Sequence, residues 1–229
     1  MWGDIFLPAY SLGYNLVDAI YMNMRHLLFQ NVIAGDPLTR IYKVYPTIIV
    51  ASDTTISSGV IEGVRIIVPR GKTLTIDRGS EVYLKRNTDL VVNGNLIIGN
   101  SAKIYLEGLS HCSLANGLAY DDVQINLKDH SKLQINGEFT LGENSVMALY
   151  NKSKIVSGGS SNTVFLQGSV LNAYDTSSVS LNNLTFNSDF AFNFYDRTIL
   201  GANNITIEEN SNLNFYNYSS LQVADTLNI

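Results

Sequence analysis

One phrase of six residues returns along the second half of the chain and limits what the chain can fold into. It reads Lys128-Asp-His-Ser-Lys-Leu133, Tyr150-Asn-Lys-Ser-Lys-Ile155, Tyr174-Asp-Thr-Ser-Ser-Val179, Tyr195-Asp-Arg-Thr-Ile-Leu200 and Tyr216-Asn-Tyr-Ser-Ser-Leu221. Successive copies begin 22, 24, 21 and 21 residues apart, the self-similarity of a stacked solenoid. Within one period, apolar pairs sit at Leu74/Ile76, Val82/Leu84, Leu90/Val92 and Leu96/Ile98, stepping by 8, 8 and 6 residues. The same rhythm returns at Ile205/Ile207, Leu213/Phe215, Leu221/Val223 and Leu227/Ile229. Alternation of apolar and polar residues over such short stretches marks half-buried strands. Three strands per period, each sending every second side chain inward, predict an all-β fold. The form expected is a right-handed parallel β-helix, a three-sided solenoid of ~22 residues per rung and about eight rungs.

The 6-residue step demands a tight corner, and small turn formers lie there: Gly71, Asn93-Gly94, Asn116-Gly117, Asn136-Gly137, Gly158-Gly159, Asn182-Asn183 and Asn203-Asn204. Glycine reaches positive φ without steric cost and Asn tolerates it, which is the expected reason for this composition. A second corner carries the Asp or Asn of the phrase at 129, 151, 175, 196 and 217, followed two residues on by Ser or Thr. Stacked rungs place these side chains above one another, where amide or hydroxyl ladders can hold register.

Charged residues make up 15% of the chain, below the usual quarter or so, and the repeats hold Asn, Ser, Thr and Tyr instead. Stacked charges of one sign, about 4.8 Å apart, would repel. The net charge of −5 argues against nucleic acid as a partner. No apolar run reaches the length of a transmembrane helix, so no membrane insertion is expected. No basic leader precedes an apolar segment, so no secretory signal is expected either. The single Cys112 cannot form an internal disulfide and reads as a small buried hydrophobe.

Residues 1–46 break the repeat and form a separate capping or assembly region ahead of the solenoid at 47–229. Leu12, Leu16, Ile20, Met24 and Leu27 share one face of a predicted amphipathic α-helix between Ser11 and Gln30. Two uses fit that stripe: a cap over the open end of the solenoid, or association with sister chains or a larger assembly. At the other end, Leu221 to Ile229 stops inside a strand. Its expected context is a longer natural chain or an edge met by another subunit.

Polysaccharide cleavage by the usual route needs two carboxylates roughly 5 to 9.5 Å apart. The central outward strand positions include Thr75, Tyr83, Val91, Ile97, Tyr105, Asn126, Gln134, Thr140, Ser180, Thr185, Thr206 and Asn214, none ionisable near neutrality. The residual acid–base candidates are Asp121-Asp122 with His130, read as a solvated turn. His26 and His111 stand apart, so neither a metal cluster nor a cofactor is expected. The remaining surface feature is Tyr150, Tyr174, Tyr195 and Tyr216, which occupy one slot in four consecutive rungs. They are the ligand-binding candidates, for sugars or proteins. Mutual ring stacking and packing against a sister solenoid are the other readings. Asn151, Asn183, Asn204 and Asn217 stand in Asn-x-Ser/Thr sequences, which accept glycans or follow from turn chemistry.

The rung phrases Leu90-Val-Val-Asn-Gly-Asn-Leu-Ile-Ile98 and Leu133-Gln-Ile-Asn-Gly-Glu-Phe-Thr-Leu141 resemble the β-helical shafts of viral tailspikes and bacterial surface adhesins. That resemblance implies a non-enzymatic attachment protein on a virion tail or cell surface. It implies a homotrimer that faces a host-surface glycan or protein, with other virion proteins met through the N-terminal region. Two further readings are a polysaccharide-degrading enzyme whose site is built between subunits or lies in a missing part, and a self-assembling filament or matrix protein.

The strand register is directly testable. Inward Leu133→Ala should cost about 2 to 5 kcal/mol and outward Gln134→Ala roughly 0.5 or less, measured by urea denaturation. Equal losses would place both residues on the wrong face.

Overall fold

The computed structural model describes residues 46–229. Every strand pairing in it is parallel, and the strands stack as a β-solenoid of about eight turns. Three ladders run along it. On the first face Leu90, Cys112, Leu133, Ile155, Val179, Leu200 and Leu221 stand in register. On the second the series is Leu96, Gly117, Phe139, Thr163, Leu184 and Ile205. On the third it is Val82, Ile104, Ile125, Met147, Leu171, Phe192 and Leu213.

The first two faces merge into one 12-stranded sheet, and the third is an 8-stranded sheet. They merge because strands such as Asp89–Ile98 and Lys132–Leu141 pass through the tight corner without a break. Only the register shifts there, between Val92 and Asn95 and between Ile135 and Glu138. The helix expected over Ser11 to Gln30, with Leu12, Leu16, Ile20, Met24 and Leu27, lies outside the described residues.

Alternation within each strand decides what is inside. Leu74, Ile76, Val82, Leu84, Leu90, Val92, Leu96 and Ile98 are all buried, while Thr75, Tyr83, Val91 and Ile97 between them remain partly exposed. The core changes character along the chain. Its early rungs are aliphatic, whereas Phe165, Phe186, Phe190, Phe192 and Phe194 fill the later ones. Ring centroids there lie 4.2 Å apart for Phe186 and Phe190 and 4.4 Å for Phe192 and Phe194. Cys112 is buried in the core as expected, and desolvation pushes its thiol up to about 12, which leaves it no reactive thiolate.

The corners correct one expectation. Left-handed backbone is found at Gly71 and Gly159 in the tight corner, but Gly94, Gly117 and Gly137 are not left-handed. Those three glycines are required by close approach. A Cβ on Gly94 would overlap the carbonyl oxygens of Lys72 and Pro69, and one on Gly137 would overlap that of Ala115. At Gly117 the space is taken by the ring of Phe139 in the next rung. The Asp and Asn of the repeated phrase are left-handed, with φ of 62° at Asp129, 60° at Asn151, 62° at Asp175, 60° at Asp196 and 58° at Asn217, as are Asp122, Asn144, Asp189 and Asn210 at another corner. Among non-glycine residues, Asn and Asp carry the smallest penalty for that conformation.

Since backbone oxygens cannot retreat without breaking the ladder, Gly137→Ala should destabilise the solenoid by about 1–3 kcal/mol. A urea midpoint equal to that of the parent chain would show that the corner relaxes at no cost.

Candidate functional site

The tyrosine slot follows directly from the strand and corner geometry. Each third-face strand ends on an inward residue, Leu149, Ala173, Phe194 or Phe215, and the next residue is the tyrosine. The left-handed Asp or Asn then turns the chain, and a buried Ser or Thr follows (Ser153, Ser177 and Thr198 in three of the rungs). The turn closes through the backbone: the N–H of Ser153, Ser177, Thr198 and Ser219 donates to the carbonyl of Tyr150, Tyr174, Tyr195 and Tyr216, and in the last rung the Ser219 hydroxyl donates to the same carbonyl at 2.8 Å.

Tyr150, Tyr174, Tyr195 and Tyr216 are thereby brought into one column. Consecutive centroids are 5.1, 4.9 and 4.8 Å apart, with ring planes within 6°, 2° and 9° of parallel. The rings therefore turn their faces to one another, and the column shows solvent a line of ring edges. Tyr216, 45% exposed, stands at one end of it. Burial between its neighbours raises the Tyr174 phenol above its ordinary value, with the Tyr150 and Tyr195 phenols adding to the effect.

Beside this column runs a ladder of carboxylates and amides. Asn151 Nδ2 donates to Asp129 Oδ1 at 3.2 Å, and the Asn151 N–H donates to Asp175 Oδ2 at 2.9 Å. Asn217 Nδ2 donates to Asp196 Oδ1 at 3.1 Å. Two further amide ladders climb the strands. One joins Asn162, Asn183 and Asn204 at 2.8 and 2.9 Å, and the other joins Asn172, Asn193 and Asn214 at 2.9 Å per step. The side-chain nitrogens of Asn151, Asn183, Asn204 and Asn217, where a glycan would attach, all donate to the rung below.

The structure does not bring Asp121-Asp122 and His130 together. They stand at opposite ends of the strand Gln124–Leu127, whose four residues span roughly 13 Å. Asp121 Oδ1 accepts the Glu143 N–H at 3.0 Å, and Asp122 is itself a left-handed corner residue with φ of 59°. The Asp121 carboxylate thus ties its corner to that of the next rung, and Asp122 serves its corner through its backbone. Among the described residues no group of three or more His, Cys, Asp and Glu could hold a metal ion.

Charge was less legible than the tyrosines because it stands at the first position of a strand, at its last or just past it, away from the central outward slots. Arg65 meets Asp89 at 3.1 Å, Lys103 meets Glu81 at 2.8 Å, and Lys85 meets Glu107 at 3.2 Å. The Lys103 hydrogen bond and charge lower the Glu81 carboxyl, and Glu81 raises Lys103 in return. Register was the signal that could have found these pairs, since partners lie one rung apart in sequence.

No protein-family model, curated protein or solved structure matches the chain.

If ring stacking is what the column contributes to the fold, Tyr195→Ala should cost about 1 to 3 kcal/mol, from two ring contacts of roughly 0.5–1.5 kcal/mol each. Tyr195→Phe, which keeps the ring, should stay within about 0.5 kcal/mol of the parent chain. Thermal or urea unfolding of the two variants separates the ring from its hydroxyl.

Proposed function

We propose that this chain is a non-enzymatic structural and attachment protein, the shaft of a virion tailspike or fibre that engages a host surface. The observation that carries the reading is the continuity of its outer columns. The tyrosine stack repeats one contact through four consecutive rungs, and each of the two amide ladders does so through three. Side chains tied in this way stiffen a rod along its length, which is what a shaft requires.

The winding in this reading is right-handed, the sense that parallel crossovers strongly favour. The shaft is a homotrimer held together by the N-terminal region through Leu12, Leu16, Ile20, Met24 and Leu27, which also meets other virion proteins. Its target is a host-surface glycan or protein, with the ring edges and hydroxyls of Tyr150, Tyr174, Tyr195 and Tyr216 as a contact surface. The same reading places the protein on a virion tail or at a cell surface.

Light scattering on the full chain tests this assembly. The expected mass is about three times that of the 25.2 kDa chain, a closed cyclic oligomer, falling to one chain when Leu16 and Met24 are both replaced by Asp. A single-chain mass for the parent protein would remove the trimeric spike, and species growing with concentration would point to a filament.

A further inference from the structure

Neighbouring rungs stand about 4.8 Å apart, so charges of one sign in register destabilise a ladder. Over most of its surface the solenoid obeys that constraint. Asp89 lies between Arg65 and His111, at 3.1 Å from each, and Glu107 lies between Lys85 at 3.2 Å and Lys128 at 4.0 Å. Where acids repeat in adjacent rungs, a carboxylate oxygen takes a backbone N–H. Asp196 Oδ2 accepts from Asp175 at 3.4 Å, and Asp121 Oδ1 accepts from Glu143 at 3.0 Å.

Lys132 and Lys154 depart from it. They are register partners on the first face, with the same sign and no carboxylate between them. Two residues earlier in the same two rungs, His130 and Lys152 occupy the exposed corner slot. The Lys152 N–H donates to the Asp129 carbonyl at 2.8 Å, which fixes that alignment. The four basic side chains thus spring from a patch of about 5 by 7 Å, one rung high and two strand residues wide.

None of the four takes part in the ion pairs found among the described residues. Lys132 Nζ donates to the neutral Gln134 Oε1 at 2.8 Å. Together with Thr176 the four line an open groove of about 510 Å³. A like-charge cluster weakens the ladder that holds it, and a local rule broken without a folding gain marks a site whose purpose lies outside folding.

We infer that this groove binds sulfate or phosphate ester groups carried on an acidic polysaccharide. A multiply charged oxyanion placed over the patch meets ammonium groups from both rungs and relieves their repulsion. Sugar hydroxyls find a neutral partner close by in the Thr176 hydroxyl, which donates to the Asn151 carbonyl at 3.1 Å and keeps its own lone pairs to accept. Asp129, Asp175 and Asp196 run along the same corner and oppose a continuous polyphosphate such as nucleic acid. A polymer with anionic groups spaced between sugars avoids them. The inference deepens the attachment reading and rests on it only for the polymer that carries the anion.

The test uses the full chain and immobilised chondroitin sulfate. Retention should weaken as salt is raised. The K152Q/K154Q variant should lose about tenfold in affinity, the sum of two exposed ion contacts, while its melting temperature holds or rises as the repulsion is removed. R70Q/R78Q, which removes equal charge at exposed residues outside the groove, should bind within about twofold of the parent chain. Equal losses in the two variants would overturn the site, as would no retention by the parent chain. Inorganic sulfate bound as tightly as the polymer would overturn the carrier, and duplex DNA held as tightly as chondroitin sulfate would overturn the polysaccharide in favour of nucleic acid. Failure of the trimer leaves all these outcomes readable.

Discussion

The backbone hydrogen bond that continues through the corner is the interaction on which the rest of this solenoid depends. Strands in register need no explanation beyond ordinary parallel pairing, but a turn between them would normally let the register drift. At the corner of the repeated phrase it does not, because the N–H groups of His130, Lys152, Thr176, Arg197 and Tyr218 each donate to a carbonyl one rung below. The left-handed Asp or Asn just before each of them aims that bond. With the corners locked, inward residues land over inward residues, and buried Ser131, Ser153, Ser177 and Thr198 fall in line.

Once register is fixed, the outer columns become a matter of what tolerates a neighbour of its own kind a rung away. The chain answers in two ways. From Glu62 to Lys128 it alternates charge, so that each salt bridge joins consecutive rungs. From Asn162 onward it uses amides, each a donor above and an acceptor below. Amides suit an indefinite repeat better, because the same residue satisfies itself at every step and no alternation has to be kept. The switch coincides with the change in the core from aliphatic to aromatic.

What could be read in the sequence is what depends on spacing alone. Steps of 8, 8 and 6 residues between apolar pairs place Leu74, Val82, Leu90 and Leu96 inward, since alternation is local and burial follows from it. The Tyr column was legible for the same reason. Less legible was anything set by distance across rungs. Gly94 and Gly137 looked like turn glycines, yet it is the carbonyls of Lys72 and Ala115 that exclude a Cβ, and no local pattern announces that approach. The rings of Tyr174 and Tyr195 could have offered their faces outward, but a centroid spacing of 4.9 Å turns them on each other.

The same lattice that makes the fold regular also makes departures from it informative. In a globular protein a pair of lysines at the surface carries little meaning, because side chains there choose their own distances. In a solenoid Lys132 and Lys154 cannot choose, since backbone pairing sets their register, and Lys152 follows from the corner bond to Asp129. Opposite charge or an amide at either position would have continued the pattern of the rungs before or after. The groove belongs to neither pattern and lies between the last alternating charge at Lys128 and the first long amide ladder at Asn162. An oxyanion bridging the two rungs supplies the missing opposite charge, which is why a ligand accounts for the cluster where folding alone does not.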